Sequence, residues 1–271
     1  MSGIVKSDNT QGNQYHKGKG SPDGGQFASV NDSGASQEQS INNTRRSHIE
    51  NPVYERFIDF LDNHDDEDTP NYDEVLDALQ QEFNQEALKI IMQDTGYDQE
   101  HAQQLQNSFN DYFGGDYEDF TSGKRANDVA IIDEGLKKMP KFDGRIIRGT
   151  HFVFDDWRQK EAFRNLVNNL REGNEITIKN TPSSWTSDKA TAMQFGREPW
   201  PNFNSMLFVC DNNKSGASVT HISHFGSGEA EVLIPSNTRY RVKKTLIYNK
   251  KSKDGKFLIP TKTVICYLEE I

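Results

Sequence analysis

Between residues 50 and 139 the apolar positions recur at helical spacing. Val53, Phe57, Phe60 and Leu61 form one stripe, and Val75, Leu76, Leu79 and Phe83 form another after a Thr69-Pro70 start signal. Further spacing at Leu88, Ile91 and Met92, and then at Leu105, Phe109, Tyr112 and Phe113, predicts two more helices ending at Gly114-Gly115. A helix over about 127–139 carries Val129, Ile132, Leu136 and Met139 on one face, and Pro140 stops it. Beyond that point the period drops to two and β-branched residues accumulate. Strands are predicted over 145–154, 175–179, 205–211, 217–223, 229–235, 239–248 and 257–269. One helix interrupts them at about 155–171, with Phe163, Leu166, Val167 and Leu170 inward. A short second helix follows Ser187, the expected cap, and ends at Gly196. Helices first and a mostly antiparallel assembly afterwards is an α+β layout.

Only nine of the first 45 residues are apolar, too few to offset the entropy of ordering them, so 1–45 is expected to be a disordered tail. Its Gly18-Lys19-Gly20-Ser21-Pro22-Asp23-Gly24-Gly25 stretch lacks the Gly-Lys-Ser/Thr ending and the preceding strand of a phosphate loop. Residues 46–79 form an acidic helical extension ahead of a domain over 80–271. The Asn63–Asp68 run between the first two helices has no central glycine and no terminal glutamate for a calcium loop, and reads as solvated. The net charge of −10 is unevenly spread: residues 46–120 carry twenty acids and three bases, whereas 121–271 carry seventeen acids and twenty-four bases. A basic C-terminal part attracts an anionic ligand, although attraction between the two parts of the chain would leave the same imprint. No apolar run reaches the roughly 18–20 residues of a membrane span, and none follows Met1 as a signal peptide would. Cys210 and Cys266 sit in apolar β-type runs and read as buried thiols without metal-ligand spacing.

Three segments carry candidate chemistry. Arg145-Ile146-Ile147-Arg148-Gly149-Thr150 is a strand with a central arginine, followed by a glycine that lets another group lie against the backbone. Thr181-Pro182-Ser183-Ser184-Trp185-Thr186-Ser187 is a hydroxyl-dense turn between a strand and a helix. Gly226-Ser227-Gly228-Glu229-Ala230-Glu231 brings two carboxylates, at i and i+2 on one face, to the point where a flexible loop enters a strand. Each has a plain structural counterpart: a surface arginine, a helix cap, and acids that guard a sheet edge. His151, His221 and His224 lie near these motifs without a metal-binding spacing, so no metal is expected.

Taken in order, Arg148-Gly149, the Ser/Thr turn and Glu229-x-Glu231 resemble the Arg–Ser–Glu class of mono-ADP-ribosyltransferases. That family includes the clostridial binary actin toxins and phage-encoded transferases. The likeness spans about residues 80–271. It includes the amphipathic helix and proline before Ile146-Ile147-Arg148-Gly149, the Ala190-Thr191-Ala192-Met193-Gln194-Phe195 run, and an EAEVLIP strand followed by an RYRVKK hairpin. The GGQFA segment of the tail is loosely similar to segments of phage head-associated proteins. The resemblance implies two mostly antiparallel sheets forming a cleft for NAD, which is the substrate.

In that family pattern Glu231 is the catalytic glutamate and Arg148 grips the pyrophosphate or adjacent ribose. Gly149, Thr186, Ser187, Phe195 and Arg197 line the NAD site. Trp185 interrupts the usual Ser-Thr-Ser, so the resemblance leaves the catalytic hydroxyl among Ser184, Thr186 and Ser187; it favours Ser184, because similar phage sequences of Ser-Trp-Thr type begin with serine. Glu229 and Phe225 would meet the acceptor, and Glu-x-Glu members generally modify arginine in a host protein. Core packing of Phe195 against its helix is the alternative to a nicotinamide contact. A toxin or effector acting in a host cytoplasm, secreted or delivered with a phage particle, fits this reading. Transfer to water or to a nucleic acid on the same fold, or a non-enzymatic virion or effector module, are the rival functions. The basic half lacks the Arg/Lys stripe interleaved with aromatics that a nucleic-acid groove uses.

Overall fold

The computed structural model describes residues 51–64, 70–114, 117–153, 156–196, 203–223, 230–249 and 262–271. The glycine-rich stretch of the tail, the acidic run at 65–68, and the predicted site residues Arg197, Phe225 and Glu229 lie outside them.

Five helices come first: α1 (Tyr54–Asn63), α2 (Tyr72–Thr95), α3 (Gln99–Phe113), α4 (Tyr117–Thr121) and α5 (Ala126–Lys138). The two apolar stripes expected as separate helices across 75–92 belong to one helix of 24 residues, α2. The reason is phase: Phe83, Ala87, Ile90 and Ile91 continue a single buried face through the polar residues between them. Gly96 ends the helix in the left-handed conformation at φ 70°, and Asp98 caps α3 by accepting from the His101 amide at 3.0 Å. Phe83, Ile91, Leu105, Phe109, Ile132 and Leu136 pack together with Ala217, Val219, Ile222 and Leu233 from the strand region. Each such large apolar side chain contributes roughly 1.5–3 kcal/mol by leaving water. Buried Asn51 pins the start of α1, donating to the carbonyls of Phe83 at 3.4 Å and His221 at 3.2 Å.

The strands are β1 (Ile146–Val153), β2 (Glu175–Thr177), β3 (Ser183–Thr186), β4 (Phe203–Cys210), β5 (Ala217–Ser218), β6 (Glu231–Ile234), β7 (Arg239–Asn249) and β8 (Lys262–Glu270), with α6 (Trp157–Asn169) and α7 (Lys189–Phe195) between them. They form one eight-stranded sheet in the order β2-β7-β8-β4-β1-β3-β6-β5. All pairs are antiparallel except β4 with β8. The α+β layout and the mostly antiparallel character are as the pattern predicts.

The resemblance implies two sheets and one is found, because β1 and β3 touch. They do so at a single position, Ile147 opposite Thr186, whereas β1 pairs with β4 along eight positions and β3 with β6 along four. The sheet is therefore two sections joined at one residue pair.

Three further expectations change. The hydroxyl-dense turn contains a strand, β3, because its four residues find a full ladder on β6. The predicted strand over 217–223 is only two residues long, and the chain turns at 220–222. The RYRVKK segment does not pair with β6; it opens β7, which lies between β2 and β8 in the other section.

Behind the sheet, Phe163 and Leu170 of the α6 region pack on Trp185, Phe208, Tyr240, Val242 and Leu268. Asp156 caps α6 by accepting from the Arg158 amide at 2.8 Å. Among the described residues no helix is long and apolar enough to cross a membrane.

Both cysteines are free and buried, on the neighbouring strands β4 and β8. Burial raises both thiol pKa values, that of Cys266 to about 11. Thiolate is the reactive form, so a thiol reagent at pH 8 should modify neither residue in the folded protein and both after denaturation. Because the folded-state values lie above the free-thiol value near 8.5, the same shifts lower stability as pH rises from about 8.5 toward 11. Chemical denaturation at pH 7.5 and pH 10 reads that slope.

Candidate active site

The site is built where the two sections of the sheet meet. Thr186 on β3 stands opposite Ile147 of β1 on one side and Glu231 of β6 on the other. With neighbouring strands about 4.8 Å apart, this row puts the backbones of residues 147 and 231 roughly 10 Å from each other. Arg148 follows Ile147 directly, and Glu231 is the first residue of β6.

Side-chain alternation along β3 sorts its hydroxyls. Trp185 is buried at 2 % exposure, with its ring 5.7 Å from that of Tyr240 and its indole N–H donating to Ser183 Oγ at 3.1 Å. Trp185 thus faces the core with Val232 and Ile234, and Ser184 and Thr186 point to the opposite face with Glu231 and Leu233. Thr186 is the hydroxyl directly across from Glu231; Ser184 is one step further along. The Thr186 hydroxyl accepts from the Asp188 amide at 2.9 Å.

The Arg148 guanidinium crosses to β3 and donates to the Ser184 carbonyl at 2.5 Å. Its charge also reaches the buried Tyr240 hydroxyl. Burial, together with Glu270 and Cys210, pushes that phenol far above its ordinary pKa, and Arg148 opposes the shift. Glu231 is 4 % exposed, an unusual place for a carboxylate.

Residue 230, just before it, is an alanine at φ 43°, in the left-handed region that costs a non-glycine residue about 1–2 kcal/mol. Strain of this kind next to a buried acid is typical of sites where surrounding contacts fix the geometry. Ser187 supplies one such contact: its amide donates to the Ala230 carbonyl at 3.1 Å, and its hydroxyl lies 3.5 Å from the same oxygen. Ser187 is therefore not the helix cap. Asp188 takes that role, its carboxylate accepting from the Thr191 amide at 2.7 Å, a better geometry for the short helix that follows.

Gly149 lies close against α7. A Cβ there would lie 1.9 Å from the Ala192 carbonyl oxygen and 2.7 Å from the Gly196 amide nitrogen. The space freed by the missing side chain is filled by α7. Phe195, at the end of α7, is 49 % exposed, so packing in the core does not account for it. His151 Nδ1 lies 3.1 Å from the Phe195 carbonyl, close enough to donate to it.

Arg148, Ser184, Thr186, Ser187 and Glu231 are thus gathered around the β1–β3–β6 junction, with Gly149 and Phe195 on the β1–α7 side. One residue in contact with this group, Tyr112 of α3, reads in the sequence only as part of an apolar helix face. Its hydroxyl donates to the Pro182 carbonyl at 3.1 Å and lies 3.2 Å from Ser184 Oγ. Its place among Leu105, Phe109 and Phe113 hides the polar end, since periodicity registers only the ring. No group of three or more His, Cys, Asp or Glu side chains among the described residues is arranged to hold a metal ion.

No protein-family model matches the chain, and no curated protein matches it. Among solved structures it is similar to the ADP-ribosyltransferase Vis of Vibrio splendidus in complex with the M6 inhibitor, at 19 % identity and TM-score 0.46, over 71 % of this chain and 85 % of that one. It is also similar to an ADP-ribosyltransferase from Clostridium botulinum solved in a triclinic form, at 19 % identity and TM-score 0.43, over 68 % of this chain and 95 % of that one. The enzymatic component of the C2 toxin of the same organism aligns at 15 % identity and TM-score 0.43, over 66 % of this chain and 46 % of that one.

The contact at Gly149 generates a stability prediction. In Gly149→Ala the new methyl meets backbone atoms of α7 that no side-chain rotation can move aside. The helix must shift, and the protein should lose about 1–3 kcal/mol, read by chemical denaturation. An unchanged midpoint would mean that α7 does not sit against β1 as described.

Proposed function

We propose that the protein is a mono-ADP-ribosyltransferase that cleaves NAD at the nicotinamide–ribose bond and passes ADP-ribose to an acceptor, with protein arginine as the acceptor. The observation that carries this reading is the row across β1, β3 and β6. It brings a guanidinium, two hydroxyls and a buried carboxylate from three distant stretches of chain to one junction.

Those groups suit the reaction. Cleavage of the C1′–N bond leaves its electron pair on nicotinamide, which departs neutral, while positive charge develops on the ribose as in glycoside cleavage. A carboxylate fixed beside that sugar stabilises the cation, and Glu231 is the buried acid available. Arg148, partly exposed at the junction, offers a planar fork of donors for the pyrophosphate. Thr186, across from Glu231, is the hydroxyl best set to orient the carboxylate or a ribose oxygen, with Ser184 next along the same face. Phe195 offers an exposed ring for nicotinamide. Glu229 precedes Glu231 by two residues and would pair with the acceptor guanidinium, taking the proton lost as its nitrogen bonds to C1′.

The test is incubation with labelled NAD and a host lysate, with nicotinamide release and macromolecular label followed separately. Glu231→Gln should lower both by on the order of 100-fold or more, and Arg148→Ala should chiefly weaken NAD binding. Glu229→Gln should keep nicotinamide release and lose labelling of arginine. Full transfer by Glu231→Gln would falsify the assignment, and release without any label would identify water as the acceptor.

A further inference from the structure

We infer that Tyr112 is a positioning residue for the NAD-binding end of this site, acting through Ser184 on the Arg148 guanidinium; the inference rests on the function proposed above. Tyr112 belongs to the helical layer and is 4 % exposed, its ring edge-on to Phe120 at 5.3 Å and to Phe113 at 5.7 Å. A ring so enclosed fixes where its hydroxyl points. That hydroxyl meets β3 at two places, the Pro182 carbonyl at 3.1 Å and Ser184 Oγ at 3.2 Å.

Proton accounting sets the direction of this chain. A phenol has one proton, and a carbonyl can only accept, so the Tyr112 proton goes to Pro182. Ser184 must then donate its own proton to the Tyr112 oxygen. The side chain of Ser184 is thereby held in one rotamer by α3, and its carbonyl is held by Arg148 at 2.5 Å. Ser184 is gripped from both sides: the two Tyr112 contacts, at the Pro182 carbonyl and at Ser184 Oγ, tie the 182–184 stretch to α3, and that stretch presents the oxygen to which the guanidinium donates. The same assignment commits the Ser184 proton to Tyr112 rather than to a carboxylate, which leaves Thr186 as the β3 hydroxyl facing Glu231.

This ordering makes the helical layer part of the ligand grip rather than only a support for the sheet. Loss of the hydroxyl alone should loosen the Arg148 end, where the dinucleotide is held, and spare the Glu231 end, where the bond breaks.

The experiment compares the wild-type protein with Tyr112→Phe, Phe120→Leu and Ser184→Ala, measuring NAD affinity by calorimetry, KM and kcat by nicotinamide release, and Tm. Tyr112→Phe should raise Kd and KM for NAD about threefold to tenfold, the scale of one hydrogen bond, with kcat within about twofold of wild type on that same scale. Phe120→Leu, which trims the packing around Tyr112 but removes no polar contact, should lower Tm and leave KM unchanged. The effects of Tyr112→Phe and Ser184→Ala on Kd should be less than additive in the double variant. An unchanged Kd in Tyr112→Phe, a KM rise in Phe120→Leu matching its loss of Tm, or full additivity would each overturn the inference while leaving the proposed function intact. Wild-type protein that does not bind NAD would overturn both.

Discussion

Everything at the candidate site depends on one point of contact, the pairing of Ile147 with Thr186. Elsewhere β1 is committed to β4 and β3 to β6, each through a continuous ladder. Neighbouring strands are rotated by roughly 20–25° because of chain chirality, and beyond this one pair β1 and β3 separate rather than continue a ladder. Where they separate, the backbone no longer fills the gap, and side chains from both can enter it. Arg148 is the first β1 residue past the contact, and its guanidinium bridges to the Ser184 carbonyl across the opening. A broad β1–β3 ladder would have closed that opening with backbone hydrogen bonds.

The junction is braced by short-range contacts around it. Asp188 caps α7, Ser187 holds the Ala230 carbonyl, and Tyr112 reaches Pro182 and Ser184 from the helical layer. Ala230 is the only described non-glycine residue beside the candidate acids with a positive φ. The contact from Ser187 opposes the pull of that residue toward ordinary backbone, and so fixes the direction in which Glu231 starts its strand. The Ser-Ser-Trp-Thr-Ser string thus divides its labour: Trp185 anchors the core, Ser184 and Thr186 face the site, and Ser187 restrains the neighbouring loop.

Much of this is legible in the sequence, and the parts that are not have physical causes. Helical spacing locates α1, α3, α5 and α6 because each buries a single apolar stripe, and period-two alternation locates β1, β4, β7 and β8. The order of the three polar motifs singles out Arg148, Ser184, Thr186 and Glu231. Strand β3 is hidden because Ser and Thr are turn formers locally, and only the β6 ladder makes them extended. The continuity of α2 is masked by polar residues on its outer face. The partner of β7 cannot be read, since adjacency in sequence favours a hairpin with β6, whereas the sheet sends it to β2 and β8. The Tyr112 hydroxyl is concealed by its own ring, which satisfies the hydrophobic pattern whether or not its oxygen has a task.

The filling of the Gly149 vacancy by α7 has a bearing on how variation at this position should be interpreted. Selection against a larger residue there would operate on helix docking even in a descendant that had abandoned catalysis. Invariance of that glycine in related chains would then be a signature of architecture, and a homologue that replaced it while retaining activity would be expected to have repositioned or dispensed with the helix.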